Sequence, residues 1–279
     1  MDYRVIVDSC GELTEEMKAS GIFETASLSI QVDDDHIVDD ETFDQAQFLK
    51  KVAASTNSPK SSCPSPEKYV NSYGCGASRV YAVTLSAELS GSYNSAVLGK
   101  NLYEEEYGKK DIHVFNSRSA SVGETLIALK IQECEEAGMT FDQVVDTVEA
   151  YIAAQNTYFV LESLETLRKN GRLSGIKAMV ASALNIKPVM GATDEGAIVQ
   201  LGQARGMKKA LVKMVDSVAA NEKNAKNKIL AISHCNAPER AEQVEKILLE
   251  RMNVKKSFVI DTAGISSMYA NDGGIIVVI

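Results

Sequence analysis

Two rhythms of apolar positions alternate along this chain. Residues 3–7, 28–32, 79–84 and 112–115 are short runs rich in β-branched and aromatic residues, the texture of buried strands. Between them, apolar residues recur at helical spacing over 13–18, 43–52, from Tyr93 onward, and over 122–137, where Gly138 supplies a C-terminal stop. Thr140 and Gln143 have the spacing of a capping box ahead of an apolar face made by Val144, Val145, Val148, Tyr151 and Ile152. Strand and helix in alternation predict a largely parallel sheet with helices on both faces.

After Tyr158 the texture changes. A strand over 158–161 and a short helix over 164–169 end at Asn170-Gly171, and an apolar helix follows over 176–184. Strands over 187–190 and 197–201 bracket Thr193-Asp194-Glu195-Gly196, a hairpin turn that implies antiparallel pairing and a second, mixed sheet. Helices over 207–220 and 237–252 then alternate with strands over 229–233, 257–261 and 275–279. The expected fold class is therefore α/β, with an N-terminal domain over 1–155 and a C-terminal domain over 156–279.

The stretch 79–97, RVYAVTLSAELSGSYNSAV, runs from strand through a Ser/Gly turn into helix. Free amides at the helix start, with hydroxyls beside them, can receive a phosphate or carboxylate oxygen. The same Ser90-Gly91-Ser92 can simply cap the helix, and the stretch alone leaves both readings open. Residues 55–65, STNSPKSSCPS, read as a polar loop and as the opposite jaw of a site. Asp8, residues 86–92 and residues 116–119 would all lie at C-terminal strand ends, where ligands of such sheets bind. Asp33-Asp34-Asp35 reads as a hairpin tip and Asp39-Asp40-Glu41 as a solvated loop, since neither has EF-hand spacing.

Composition removes several functions. The 279 residues carry 29 basic and 38 acidic side chains, a net charge of −9, which opposes a nucleic-acid role. Cys10, Cys63, Cys75, Cys134 and Cys235 are scattered and form no CxxC pair, so neither a disulfide framework nor a metal site is expected. No apolar run approaches the roughly 18 residues of a membrane span, and a reducing cytoplasm is the expected compartment. Walker, Rossmann and GxSxG patterns are missing. Of His36, His113 and His234, only His234, at a strand end, is placed to enter a cleft as a base.

In their order, the motifs resemble the DegV family of bacterial fatty-acid-binding proteins. The matching stretches are Val7-Asp8-Ser9, Ser61-Ser62-Cys63-Pro64-Ser65, Leu89-Ser90-Gly91-Ser92-Tyr93-Asn94-Ser95-Ala96, residues 164–173 (LETLRKNGRL), Leu184-Asn185-Ile186-Lys187-Pro188 and Arg205-Gly206. The resemblance implies two α/β domains with one long-chain fatty acid held between them as ligand, and no other cofactor. It implies a carboxylate near Ser61, Ser62, Ser90, Gly91 and Ser92. It also implies a possible partner, a separate ATP-dependent fatty acid kinase subunit, to which a non-catalytic binding protein presents its acyl chain. Arg172, grouped with Arg168 and Lys169, either complements a helix C-terminus or docks that partner, and the family pattern favours docking. Arg205 either pairs with a buried carboxylate or opens the following helix. Ala270 stands where the family carries a histidine near the carboxylate, and Gly273 where it carries a proline. Two other readings remain: a lipid-binding module without kinase coupling, and a small-molecule enzyme using the same anion cradle.

Overall fold

The computed structural model describes residues 2–173, 185–223 and 225–279. The helix expected over 176–184 lies outside the described residues. The first half contains β1 (Tyr3–Asp8), α1 (Glu15–Ser20), β2 (Phe23–Ala26), β3 (Ser29–Val32), β4 (Asp35–Val38), α2 (Gln45–Ala54), β5 (Lys60–Ser62), α3 (Pro66–Tyr73), β6 (Arg79–Thr84), α4 (Ser92–Tyr107), β7 (Asp111–Asn116), α5 (Val122–Glu136) and α6 (Phe141–Ala153). The second contains β8 (Thr157–Val160), α7 (Glu165–Lys169), β9 (Ile186–Ala192), β10 (Ile198–Arg205), α8 (Met207–Asn221), β11 (Ile229–His234), α9 (Pro238–Arg251), β12 (Lys256–Asp261), α10 (Gly264–Ala270) and β13 (Ile275–Val278).

The first sheet has the order β2-β1-β6-β7 and every pairing in it is parallel. Its strands read as unbroken apolar runs because both faces are covered. Val5, Val7, Tyr81, Val83 and Phe115 point to α5 and α6, where they meet Ile127, Ile131, Val144 and Val148. The intervening Ile6, Val80, Ala82, Ile112 and Val114 point the other way, onto Tyr69, Tyr73 and Ala96 of α3 and α4. The capping box at α6 forms with both of its hydrogen bonds. Strand β2 was not expected from the pattern. Only two of its four residues are apolar, and it sits at the sheet edge in register with β1.

The second sheet has the order β10-β9-β8-β13-β11-β12. Among its pairings only β11 with β12 is parallel, so the sheet is mixed, as the hairpin implied. Helices α8 and α9 cover one face through Met214, Val215, Val218, Val244 and Leu248. The other face turns toward the first half. There α5 lies between the sheets, packed on β1 and β6 and also on β11 and β13, with Val122 and Leu126 against Ala231 and Val278.

Two elements correct the sequence reading. The polar stretch 55–65 is not all loop: Lys60–Ser62 forms β5, antiparallel to β3 in a three-stranded sheet. Residues Gly264–Ala270 form α10, whose first amides are capped from far away. Asp39 Oδ1 accepts from Gly264 N at 2.7 Å and Asp39 Oδ2 from Ile265 N at 2.8 Å. A cap 225 residues upstream leaves no local signal. Among the described residues, no helix is long and apolar enough to cross a membrane.

Candidate ligand-binding site

A cavity lies between the two sheets, about 820 Å³ counting its mouth. Leu85, Leu89 and Ile265 form part of its wall, with Phe159, Leu161, Leu167, Ile198 and Ile276 from the second sheet and its loops. Hydroxyl-bearing Ser61, Ser90 and Tyr269 come together with Arg172 at one part of this apolar wall. Among the described residues, its only charged members are Arg118 and Arg172, and no Asp or Glu lines it.

Strand alternation places the first of these groups. Ser61 stands opposite Ile30 in the β3–β5 register and brings its Oγ within 3.0 Å of Tyr269 Oη. Ser62, the next residue along the strand, is exposed and is not part of the wall. The Ser90 turn is built by backbone bonds, with Leu89 N and Ser90 N both donating to Ser86 O at 2.9 and 3.1 Å. Ser90 Oγ accepts from Ser92 N at 3.2 Å. Ser86 Oγ in turn donates to Gly196 O at 2.8 Å, tying the turn to the β9–β10 hairpin.

Ser92 departs from the expectation. Its hydroxyl donates to Asp8 Oδ2 at 2.6 Å and lies 3.1 Å from Tyr69 Oη, fully buried on the far side of the turn. Asp8 also receives Leu85 N at 3.0 Å and Cys10 N at 3.1 Å, so it fixes β1, β6 and the turn together. Gly91 is the N-cap of α4 at φ −74° and is exposed, so it too stays outside the cavity wall. Arg205 ends β10, paired in register with Ile186, and is exposed away from the cavity. Its side chain is not brought to the other candidates.

Arg172 is half-buried at the cavity and not free on the surface. Its Nε donates to Leu89 O at 3.0 Å and its Nη1 to Asn170 O at 2.6 Å, and the guanidinium sits 5.8 Å from the Tyr269 ring centroid. These bonds bind the end of α7 to the Ser90 turn. Ala270 is 1% exposed and contributes a methyl to the wall beside Leu161 and Leu167. Tyr269 was not singled out in the sequence, and Arg118 entered only as part of residues 116–119 at a strand end. Tyr269 is the aromatic neighbour of Ala270, and it is the less buried of the two.

Behind the wall lie four buried carboxyls: Asp8, Glu12, Asp39 and Glu124. Burial pushes Glu12 up to about 7, offset in part by Ser266 and Ser121, and pushes Asp39 up to about 6 against its two helix amides. Both oxygens of Glu124 are sealed from solvent without a hydrogen-bond donor. Burial first, and then the neighbouring Asp8, drive Glu124 far above the usual carboxylate range. His234 does not reach the cavity. Its Nδ1 lies 3.3 Å from the Ala237 amide and 3.2 Å from Asp261 Oδ1, and burial lowers its pKa while Asp261 pulls it partly back.

Two sheets enclosing an apolar cavity, with hydroxyls and an arginine gathered at one part of its wall, define a ligand-binding protein of the α/β class. The family model described as "Uncharacterised protein, DegV family" matches residues 2–278. The chain belongs to the DegV family. A DegV domain-containing protein of Streptococcus pneumoniae is 32% identical over 280 residues, covering 99% of this chain and 98% of that one. A crystal structure of a DegV family protein from Ruminococcus gnavus, described with vaccenic acid, is 67% identical with a TM-score of 0.98 and full coverage of both chains. The structure of the Streptococcus pneumoniae Fatty Acid Kinase (Fak) B3 protein, loaded with linoleic acid, is 32% identical with a TM-score of 0.88, covering 100% of this chain and 99% of that one.

Proposed function

We propose that this protein binds one long-chain fatty acid non-covalently and presents its carboxyl group to a separate ATP-dependent fatty acid kinase subunit. The observation that carries the proposal is the charge of the cavity wall: among the described residues it has two arginines and no carboxylate, in a chain of net charge −9. An anionic amphiphile fits such a wall. Its acyl chain gains about 0.8 kcal/mol per buried CH₂, and its carboxylate meets Ser61, the Ser90 turn and Arg172. The R. gnavus protein described with vaccenic acid and the Fak B3 protein loaded with linoleic acid support the same ligand class. In this reading the ligand lies between an N-terminal domain over 1–155 and a C-terminal domain over 156–279. The protein acts in the cytoplasm as the non-catalytic partner of the kinase.

The test is denaturing extraction of purified protein followed by mass spectrometry, together with titration of delipidated protein with oleate. About one fatty acid per chain is expected. Extracts without acyl species, combined with no binding of added oleate, overturn the proposal. The kinase role is tested separately, by acyl phosphate formation when an ATP-dependent fatty acid kinase is mixed with the loaded protein.

A further inference from the structure

We infer that Tyr269 is a head-group ligand of the bound fatty acid, its phenolic O–H donating to the carboxylate beside Ser61. The inference rests on the fatty-acid reading above and adds a residue to it. Of the residues in α10, Tyr269 alone is not buried, and it lines the cavity. Its phenol oxygen and Ser61 Oγ are 3.0 Å apart. Two hydroxyls at that distance own two protons and use one between them, which leaves one O–H free to donate to an incoming oxygen.

The surroundings fit a carboxylate and not a neutral group. The Arg172 guanidinium lies 5.8 Å from the Tyr269 ring centroid. Two of its nitrogens hold Leu89 O and Asn170 O. Among the described residues its third nitrogen, Nη2, has no partner, which leaves its protons for a ligand. Burial raises the phenol pKa, with Ser61 and Arg172 pulling it partly back, so the proton to be donated stays in place at neutral pH. Ala270, next in sequence, offers only a methyl to the wall, so Tyr269 is the member of this helix end that brings a donor to the cavity.

The experiment compares oleate with oleyl alcohol, which has the same chain and no charge, on wild type and on Tyr269→Phe. The phenylalanine keeps the ring and removes one oxygen. The expected result is a loss of about tenfold or more in oleate affinity, with oleyl alcohol affinity nearly unchanged and the melting temperature preserved. Ser61→Ala is expected to give a similar loss for oleate, and the double variant less than the product of the two, because the hydroxyls share a hydrogen bond. Equal losses for oleate and oleyl alcohol, or no loss for either, overturn the assignment of Tyr269 while leaving fatty-acid binding intact. Wild type that binds neither molecule overturns both readings together.

Discussion

Ser92 donates its hydroxyl to the Asp8 carboxylate at 2.6 Å across 84 residues of chain, so the serine of the turn is committed to the fold. Asp8 is fully buried and receives that hydroxyl with two backbone amides. Ser92→Ala is therefore expected to lower stability by about 1–3 kcal/mol, the cost of leaving a buried acceptor short of its donor. Denaturant unfolding measures it. An unchanged midpoint would show that Asp8 does not depend on this donor.

Ser61 and Ser62 are neighbours on β5 with opposite environments, one at the cavity and one exposed. Ser61→Ala is expected to weaken oleate binding about tenfold or more, while Ser62→Ala leaves it within about twofold. Titration of the two variants side by side decides the matter. A larger effect at Ser62 would place the head group on the other face of the strand.

Burial pushes Asp39 up to about 6 in the folded chain, against an ordinary aspartate value of 3.8 when unfolded. Between those values the native state holds a proton that the unfolded state has lost. Stability from this group is thus fully present below about pH 4 and falls as pH rises toward 6. The fall amounts to roughly 3 kcal/mol, at about 1.36 kcal/mol per pH unit. Melting temperature against pH for wild type and Asp39→Asn is expected to show a flatter curve for the variant over this range. At pH 7.5 and above the variant also lacks one acceptor for the α10 amides, so an identical pair of curves would show that the carboxyl is not shielded.

Glu124 has two buried oxygens without a donor, so it is expected to keep its proton at a pH where ordinary glutamates are ionised. Infrared spectroscopy should show an un-ionised carboxyl band at that pH, and Glu124→Gln should remove it. Because the folded pKa is raised, the native carboxyl costs progressively more as pH climbs above its unfolded value of about 4.3. The glutamine variant is therefore expected to gain more in melting temperature at pH 8 than at pH 5. The absence of the band in wild type would mean that Glu124 is ionised and has found a partner.

Strands β1, β6 and β7 of the first sheet were legible because they are apolar on both faces: Val5 and Val7 alternate with Ile6, and each finds its own layer of helices. The hairpin was legible from Thr193-Asp194-Glu195-Gly196, and Gly196 does adopt φ +92°. Strand β5 and helix α10 were not, because their support comes from Ile30 and Asp39, remote in sequence. The same limit applies to the site. Ser61, Ser90, Arg172 and Ala270 could be picked out by motif, and they surround the cavity. That Ser92 is spent on Asp8, and that Tyr269 turns its oxygen to Ser61, depends on contacts that no local pattern records.

The position of α5 makes the two halves mechanically inseparable. One helix supplies core side chains to both sheets, and the residues leading into it, Ala120 and Ser121, belong to the cavity wall. Pulling the halves apart would strip Val122 and Leu126 from Ala231 and Val278 and open the cavity in the same event. Cleavage of the chain near residue 155 should then leave a nicked protein whose fragments stay together. Heating should give a single transition rather than two, displaced upward as a whole when the cavity is filled, by RT ln(1 + [L]/Kd). Occupancy would be written into the lifetime of the entire chain, so an empty protein is the one a protease finds first.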